Sequence, residues 1–467
     1  MALTPDLKRQ LANPDQASNL WSELESQLQP VIGRLSEAQS QAFFRILGDS
    51  NFLARWARVC PEEVQNLLQD SWEETLDETA LHRAWRARLS QHPVKDSSDY
   101  LNQMLRFKYY QLFRITLKDL GRLVPFYQTA GELSALACFM IRLALESVWN
   151  SWQDQWGVPV ARSKSDSPIP FTILALGKLG GRELNYSSDV DIVYLYGTDQ
   201  GRVLTSGRDT GKTPHQFFSK IGQELGKLLS QKNSEGFLYR VDLELRPEGK
   251  SGALANSLSA MENYYESFGA FWEKQALIKC GCAAGDRELF QLFHKMIEPF
   301  TFPKTRDFTL IEKIQEMKAK VEASVQQSNP DQYHVKLGPG GIREVEFFVQ
   351  TLQILYGGYQ PELRTPNTLE ALQALKQAKL LLPEDEDALR RAYIFLRTLE
   401  HRLQLVEEQQ THRLPAESEA MEKLARRMGY LQSDAAAAAE NLMRDLESHR
   451  GQVESRFRGL LKHRGDS

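Results

Sequence analysis

Apolar residues recur at three- and four-residue steps through most of the first 157 positions, and that spacing predicts helices. Residues 99–117 and 132–149 show it most clearly. Residues 133–145 form the most apolar stretch, but Arg142 interrupts it and Glu146 ends it, which predicts a buried helix rather than a membrane span. The tryptophans of this region sit at helical spacing and are assigned to core packing. Residues 158–170 are polar and proline-bearing and predict a linker. The period then changes. Residues 171–176 are a short β-branched and aromatic run and predict a strand, followed by a tight turn at 177–181. A second strand is expected at 189–196, a helix at 215–231, and a third strand at 237–245. Helical spacing returns from Leu258 and persists to the end, with breaks at 330–341 and 357–366. The alanine run at 435–439 stands behind Ser433 and Asp434, which predicts a capped helix.

Totals narrow the picture. At 467 residues the chain exceeds one ordinary core. A formal net charge of −4 lacks the basic surplus of a general nucleic-acid binder. The four cysteines are scattered; Cys280 and Cys282 lie close, but without zinc spacing, so buried or half-buried free thiols are expected. Residues 1–9 have no apolar signal core, and the expected location is cytoplasmic.

The chemistry concentrates in the middle third. Asp189 and Asp191 are two apart on a predicted strand and share one face, with Val190 and Ile192 on the other. Adjacent carboxylates repel unless a cation or proton sits between them, and Mg²⁺ accepts such oxygen ligands. Asp242 and Glu244 repeat the arrangement on the third strand. If the two strands are neighbours, three or four carboxylates converge, as metal-assisted displacement at phosphorus requires. Gly180 and Gly181 let the main chain approach a phosphate and offer N–H donors to it. The reading is an α+β, predominantly helical chain. An N-terminal helical region spans 1–157, a nucleotidyltransferase-type α/β domain 158–300, and a C-terminal helical bundle 301–467. Gly207 to Thr213 imitates a P-loop but has three residues where that motif has four, and reads as a polar loop. No Gly-x-Ser-x-Gly elbow supports a serine hydrolase.

Residues 176–192, Leu-Gly-Lys-Leu-Gly-Gly-Arg-Glu-Leu-Asn-Tyr-Ser-Ser-Asp-Val-Asp-Ile, resemble the signature of bacterial glutamine synthetase adenylyltransferase, an enzyme with two nucleotidyltransferase halves. The Val-Asp strand before Arg246-Pro247, the Gly-Gly-Ile-Arg-Glu-Val-Glu-Phe block at 340–347 and Leu-Glu-His-Arg-Leu-Gln at 399–404 match it too. The Glu-Leu-Asn and Glu-Glu-Gln-Gln-Thr-His-Arg-Leu-Pro (407–415) segments are similar to its N-terminal, adenylyl-removing half. The resemblance implies that Asp189, Asp191 and Asp242 bind Mg²⁺, while orthophosphate attacks adenylyl-tyrosine of glutamine synthetase to give ADP. It also implies control by glutamine and by the PII signalling protein. Glu244 stands where the family has Arg, which makes the site more negative or adds a metal ligand. The alternatives are adenylylation of glutamine synthetase with ATP, or a non-catalytic regulator binding nucleotide or PII.

Several residues carry two readings. Arg246 clamps a phosphate or makes a surface ion pair. Lys279 neutralises the transferred group or is a solvated lysine. Ser187 and Ser188 donate hydroxyls to phosphate or serve the turn. Glu346 falls on an apolar helical stripe and needs a partner, Arg343 or a residue of another domain, in a brace or at the nucleotide. His401 is assigned to solvent or to helix contacts rather than to catalysis.

Overall fold

In the computed structural model, residues 3–70, 72–162, 166–305, 332–431 and 435–462 are described, with Glu312, Lys313, Glu316 and Ala319 between them. Both strongly periodic stretches lie in long helices, Ser97–Leu120 and Phe126–Trp156. Asp96 caps the first by accepting the Asp99 N–H, as a short acidic side chain does at a helix start. The 133–145 stretch is buried along most of its length in the second, among Leu136, Met140 and Ala144. Trp21, Trp72 and Trp85 are core residues. No helix of the described residues is long and apolar enough to cross a membrane.

The strands are β1 (Val158–Ala161), β2 (Phe171–Ala175), β3 (Val190–Tyr196), β4 (Gly201–Thr205), β5 (Arg208–Asp209), β6 (Val241–Asp242), β7 (Ala255–Ser257) and β8 (Gly281–Gly285). The central sheet runs β6-β3-β2-β8, with β7 also paired to β3. Strand β2 is antiparallel to β3 and β8, whereas β6 and β7 lie parallel to β3. One face carries Ile173, Val190, Ile192 and Tyr194 into a core shared with Phe113 and Ile141 of the first helices and Phe217 and Phe218 of helix Pro214–Ser230. The other face packs Leu174, Val193 and Leu195 on Met261, Tyr265 and Phe293. Burial on both faces explains why β2 and β3 read as apolar runs without alternation.

Three expectations change. The predicted linker contains β1, which pairs antiparallel with β4 because the Phe126–Trp156 helix delivers it beside that strand. The P-loop imitation contains β5, which pairs with β4 as a hairpin, and its last residue, Thr213, caps helix Pro214–Ser230 in a capping box with Gln216. The third strand shrinks to Val241–Asp242, because the Asp242 carboxylate accepts the Glu244 N–H at 2.7 Å and turns the chain away.

The C-terminal helices Ile342–Tyr356, Thr368–Gln377, Pro383–Gln404, Ser418–Met428 and Ala435–Lys462 bury a separate core around Val345, Leu372, Leu396 and Leu442. The alanine run opens the last of them; its expected cap, Ser433-Asp434, lies outside the described residues, as does most of 306–331. All four cysteines are free; Cys280 is buried and the others are half-buried.

Candidate active site

Parallel pairing of β3 with β6 sets Asp191 directly opposite Asp242. Neighbouring strands lie about 4.8 Å apart, so the two carboxylates are side by side at one end of the sheet. Burial pushes the Asp191 carboxyl up to about 6, and the Asp242 charge adds to the shift. Asp191 accepts no side-chain hydrogen bond among the described residues. The turn after β2 runs against this carboxylate. Gly177 has φ of +53°, and a Cβ there would stand 2.5 Å from Asp191 Oδ2, so only glycine fits.

Asp189 is turned elsewhere. Arg240 Nε donates to it at 2.7 Å, while another guanidinium nitrogen of Arg240 donates to the Ser187 carbonyl and hydroxyl at 3.1 and 3.0 Å. Among the described residues no group of three or more His, Cys, Asp or Glu side chains is disposed to hold a metal ion. The arrangement is an acidic pair with a third carboxylate neutralised by arginine. An all-oxygen pair of like charges, with no ion-pair partner within 4.0 Å among the described residues, fits a hard divalent cation at Asp191 and Asp242. Asp189 joins them only if Arg240 releases it.

The helpers expected around the triad are placed differently. Gly180 and Gly181 spend their N–H groups on Leu176 and Gly177 carbonyls, so neither is free to donate to a phosphate. A Cβ on Gly180 would stand 1.8 Å from the Lys279 carbonyl oxygen; the residue permits packing of the turn on the chain entering β8. Arg246 donates to the carbonyls of Leu243, Lys250 and Gly252, bracing the loop after β6, and makes no ion pair among the described residues. Lys279 is buried and bridges Glu183 at 2.6 Å and Glu346 at 2.8 Å. This supplies the partner that Glu346 required, in place of Arg343, which stacks on the Phe347 ring. Glu244 is exposed and its carboxylate pairs with Lys250 at 2.8 Å. Ser187 is consumed by the Gln404 amide oxygen, the Glu408 carbonyl and Arg240. Ser188, beside it, keeps a hydroxyl with no hydrogen bond among the described residues.

Sequence reasoning missed the polar seam behind the centre. Helix Pro383–Gln404 presents Arg397, Glu400, His401 and Gln404 on one stripe, at steps of three, four and seven. Glu400 is fully buried and meets Lys178 Nζ at 2.9 Å, His412 Nδ1 at 2.7 Å and Arg397 Nε at 3.1 Å. Lys178, the hydrogen bond from His412 and Arg397 hold its carboxyl well below the usual range against the cost of burial. Arg397 also donates to the Glu183 carbonyl, Asn185 and Tyr393. Arg402 grips Asp119, which also accepts from Tyr186 OH at 2.9 Å. His401 is buried between the Phe126 and Tyr186 rings, and burial pulls it down to about 3. Burial likewise pulls Lys178 down to about 8 despite Glu400. Segment 183–188, which leads into the acidic pair, is thus fastened to the C-terminal bundle. The stripe itself was the available signal: polar residues at core spacing.

A family model described as glutamate-ammonia ligase adenylyltransferase matches residues 40–296, and one described as GlnD PII-uridylyltransferase matches 310–461. The bifunctional glutamine synthetase adenylyltransferase/adenylyl-removing enzyme of Stenotrophomonas maltophilia (strain R551-3) is 35% identical over 95% of this chain and 46% of its own length. Those of Hahella chejuensis and Bradyrhizobium diazoefficiens are each 36% identical, over 83% and 78% of this chain and 39% and 36% of their own lengths. The chain therefore spans less than half of these curated relatives. With the first model covering more than half of its residues, the chain belongs to the glutamate-ammonia ligase adenylyltransferase family.

Proposed function

We propose that this chain removes AMP from adenylylated glutamine synthetase by phosphorolysis, at the centre formed by Asp191 and Asp242. The carrying observation is the strand register that sets these two carboxylates together at the sheet end. They would hold Mg²⁺, which supplies charge neutralisation at phosphorus and at the oxygens around it. Asp189 is the third ligand of this proposal, recruited when an anionic substrate competes for Arg240. An oxygen of orthophosphate forms the new bond to the AMP phosphorus as the bond to the tyrosine oxygen breaks. The tyrosine oxygen regains a proton, and the other product is ADP. Ser188 lies at the entry to β3, where its hydroxyl can donate to a phosphate oxygen.

Residues 158–300 carry the chemistry in this reading, and 1–157 and 301–467 form its frame. The match of 310–461 to a model named for PII uridylyltransferase supports the bundle as the place where PII and glutamine act. A cytoplasmic location follows from that substrate. The test is incubation with adenylylated glutamine synthetase, Mg²⁺ and phosphate. ADP formation supports removal; AMP transfer from ATP to the unmodified enzyme, with no ADP from the first assay, assigns the opposite direction. If neither reaction occurs and Asp191→Asn changes nothing, the chain is a regulator.

A further inference from the structure

We propose that the outer edge of β8 docks an extended, acidic segment of the protein substrate, which joins the central sheet as an added strand. The inference rests on the reading of glutamine synthetase as that substrate, and deepens it by naming where the protein itself is held.

Strand β8 ends the central sheet, with β2 on one side and no strand on the other among the described residues. Apart from that ladder, no backbone N–H of Gly281 to Gly285 makes a hydrogen bond among the described residues. Such an edge is a template, because its outward N–H and C=O groups match those of an extended chain. All five residues line a cleft of about 1380 Å³, which exceeds the usual pocket for a small ligand. Helix Phe126–Trp156 lines it through Gly131, Ala135 and Cys138, and helix Arg287–Thr301 through Phe290 and His294. These helices pack on opposite faces of the sheet and so flank the edge. The opening admits one segment and keeps out a second sheet. Room is left for its side chains: β8 is Gly-Cys-Ala-Ala-Gly, and a Cβ on Gly131 would meet nothing within 4 Å. Glycine inside a helix lowers its stability, and here it widens the cleft.

Charge selects the occupant. The carboxylates of the cleft are engaged: Glu132 by Lys118 at 2.6 Å, Glu298 by Arg364, and Glu78 by both Arg142 and Arg287. Asp77 caps helix Glu78–Gln91, and Glu370 accepts the Thr365 hydroxyl at 2.6 Å. Arg182 and Lys295 also line the cleft, are exposed and make no ion pair or side-chain hydrogen bond among the described residues. The charge left for a partner is positive, which favours an acidic segment. The sheet also fixes the distance to the acidic pair. Gly281 pairs with Ala175, and Ala175 with Ile192, the neighbour of Asp191. Two strand spacings amount to about 10 Å, a span that roughly three or four residues of extended chain cover.

The experiment uses the whole chain with adenylylated glutamine synthetase. Amide hydrogen exchange across Gly281 to Gly285 should slow by on the order of tenfold when the complex forms, as outward N–H groups gain partners. Gly131→Leu, which fills the cleft, should weaken the complex by on the order of tenfold, remove the slowed exchange and melt at or above the wild-type temperature. Its KM for the protein substrate should rise with kcat close to wild type, the mark of a contact that only binds. Failure of wild type to bind glutamine synthetase, unchanged exchange at β8 in the complex, or unchanged affinity in Gly131→Leu would overturn the proposal. A folding defect in Gly131→Leu leaves Arg182→Glu with Lys295→Glu to be read by the same affinity and exchange measurements. The phosphorolytic reading is judged separately: a chain that docks the protein at β8 and forms no ADP keeps this proposal and loses that one.

Discussion

The acidic pair and the polar seam behind it are built from the same residue types and solve opposite problems. In the seam, Glu400 meets Lys178, Arg397 and His412, Arg402 grips Asp119, and Lys279 bridges two glutamates. At the sheet end, Asp191 faces Asp242 with no hydrogen-bond donor to its carboxylate among the described residues, and its proton affinity rises. A satisfied buried network specifies position, whereas like charges held together store unfavourable energy that a bound ligand releases. The contrast assigns the seam to holding the site in place and the acidic pair to the chemistry.

The assignment is broken most severely by swapping the expected consequences. Glu400→Gln leaves Arg397, Lys178 and His412 around a neutral amide. Removing one partner of a buried ionic network costs about 3–5 kcal/mol, so a large fall in melting temperature is expected in thermal unfolding. An unchanged melting temperature would show that the seam holds nothing. Asp191→Asn should do the reverse. Activity falls by on the order of 10²–10³, the scale of losing a group that stabilises transition-state charge, while the melting temperature stays level or rises as a repulsive carboxylate disappears. Loss of fold in this variant would place Asp191 among the structural residues.

Acid sharpens the contrast further. His401 and His334 are pulled from 6.5 to about 3 and about 4 by burial. Below pH 6.5 the unfolded chain binds protons that these folded histidines refuse, so their contribution is full above 6.5 and is lost as pH falls towards 4 and 3. Melting curves between pH 8 and 5 should therefore decline, and His401→Phe should flatten that decline. The smallest effect belongs to Glu244. Its pair with Lys250 is exposed on both sides, so Glu244→Ala should change stability by less than about 0.5 kcal/mol. Its turnover should also stay close to wild type; a loss comparable with Asp191→Asn would return Glu244 to the acidic centre.

Much of the centre was legible because strand periodicity is local. Alternation alone put Asp191 and Asp242 each on one face of its strand, and Val190 and Ile192 on the buried face; that the two strands are neighbours is supplied by the fold. What escaped depended on neighbours distant in sequence. Strand β8 is Gly-Cys-Ala-Ala-Gly, with no β-branched residue, and it is a strand because β2 pairs with it. Lys279 reads as a solvated lysine until the turn at Gly180 packs over its carbonyl and encloses it. Arg397, Glu400 and Gln404 read as a charged helical face, because nothing within the helix reveals that segment 183–188 and Lys178 lie against it. Asp189 was expected on the strand but stands just before β3, and Arg240, one residue before β6, captures its carboxylate. Spacing locates a carboxylate on a face, and only the fold reveals which cation reaches it first.

The most direct test of the central claim is anomalous diffraction from a crystal of the chain soaked with Mn²⁺ and ADP. The account predicts a peak between the Asp191 and Asp242 carboxylates, with Arg240 displaced from Asp189. A fully bound nucleotide with no metal at those two side chains would contradict it.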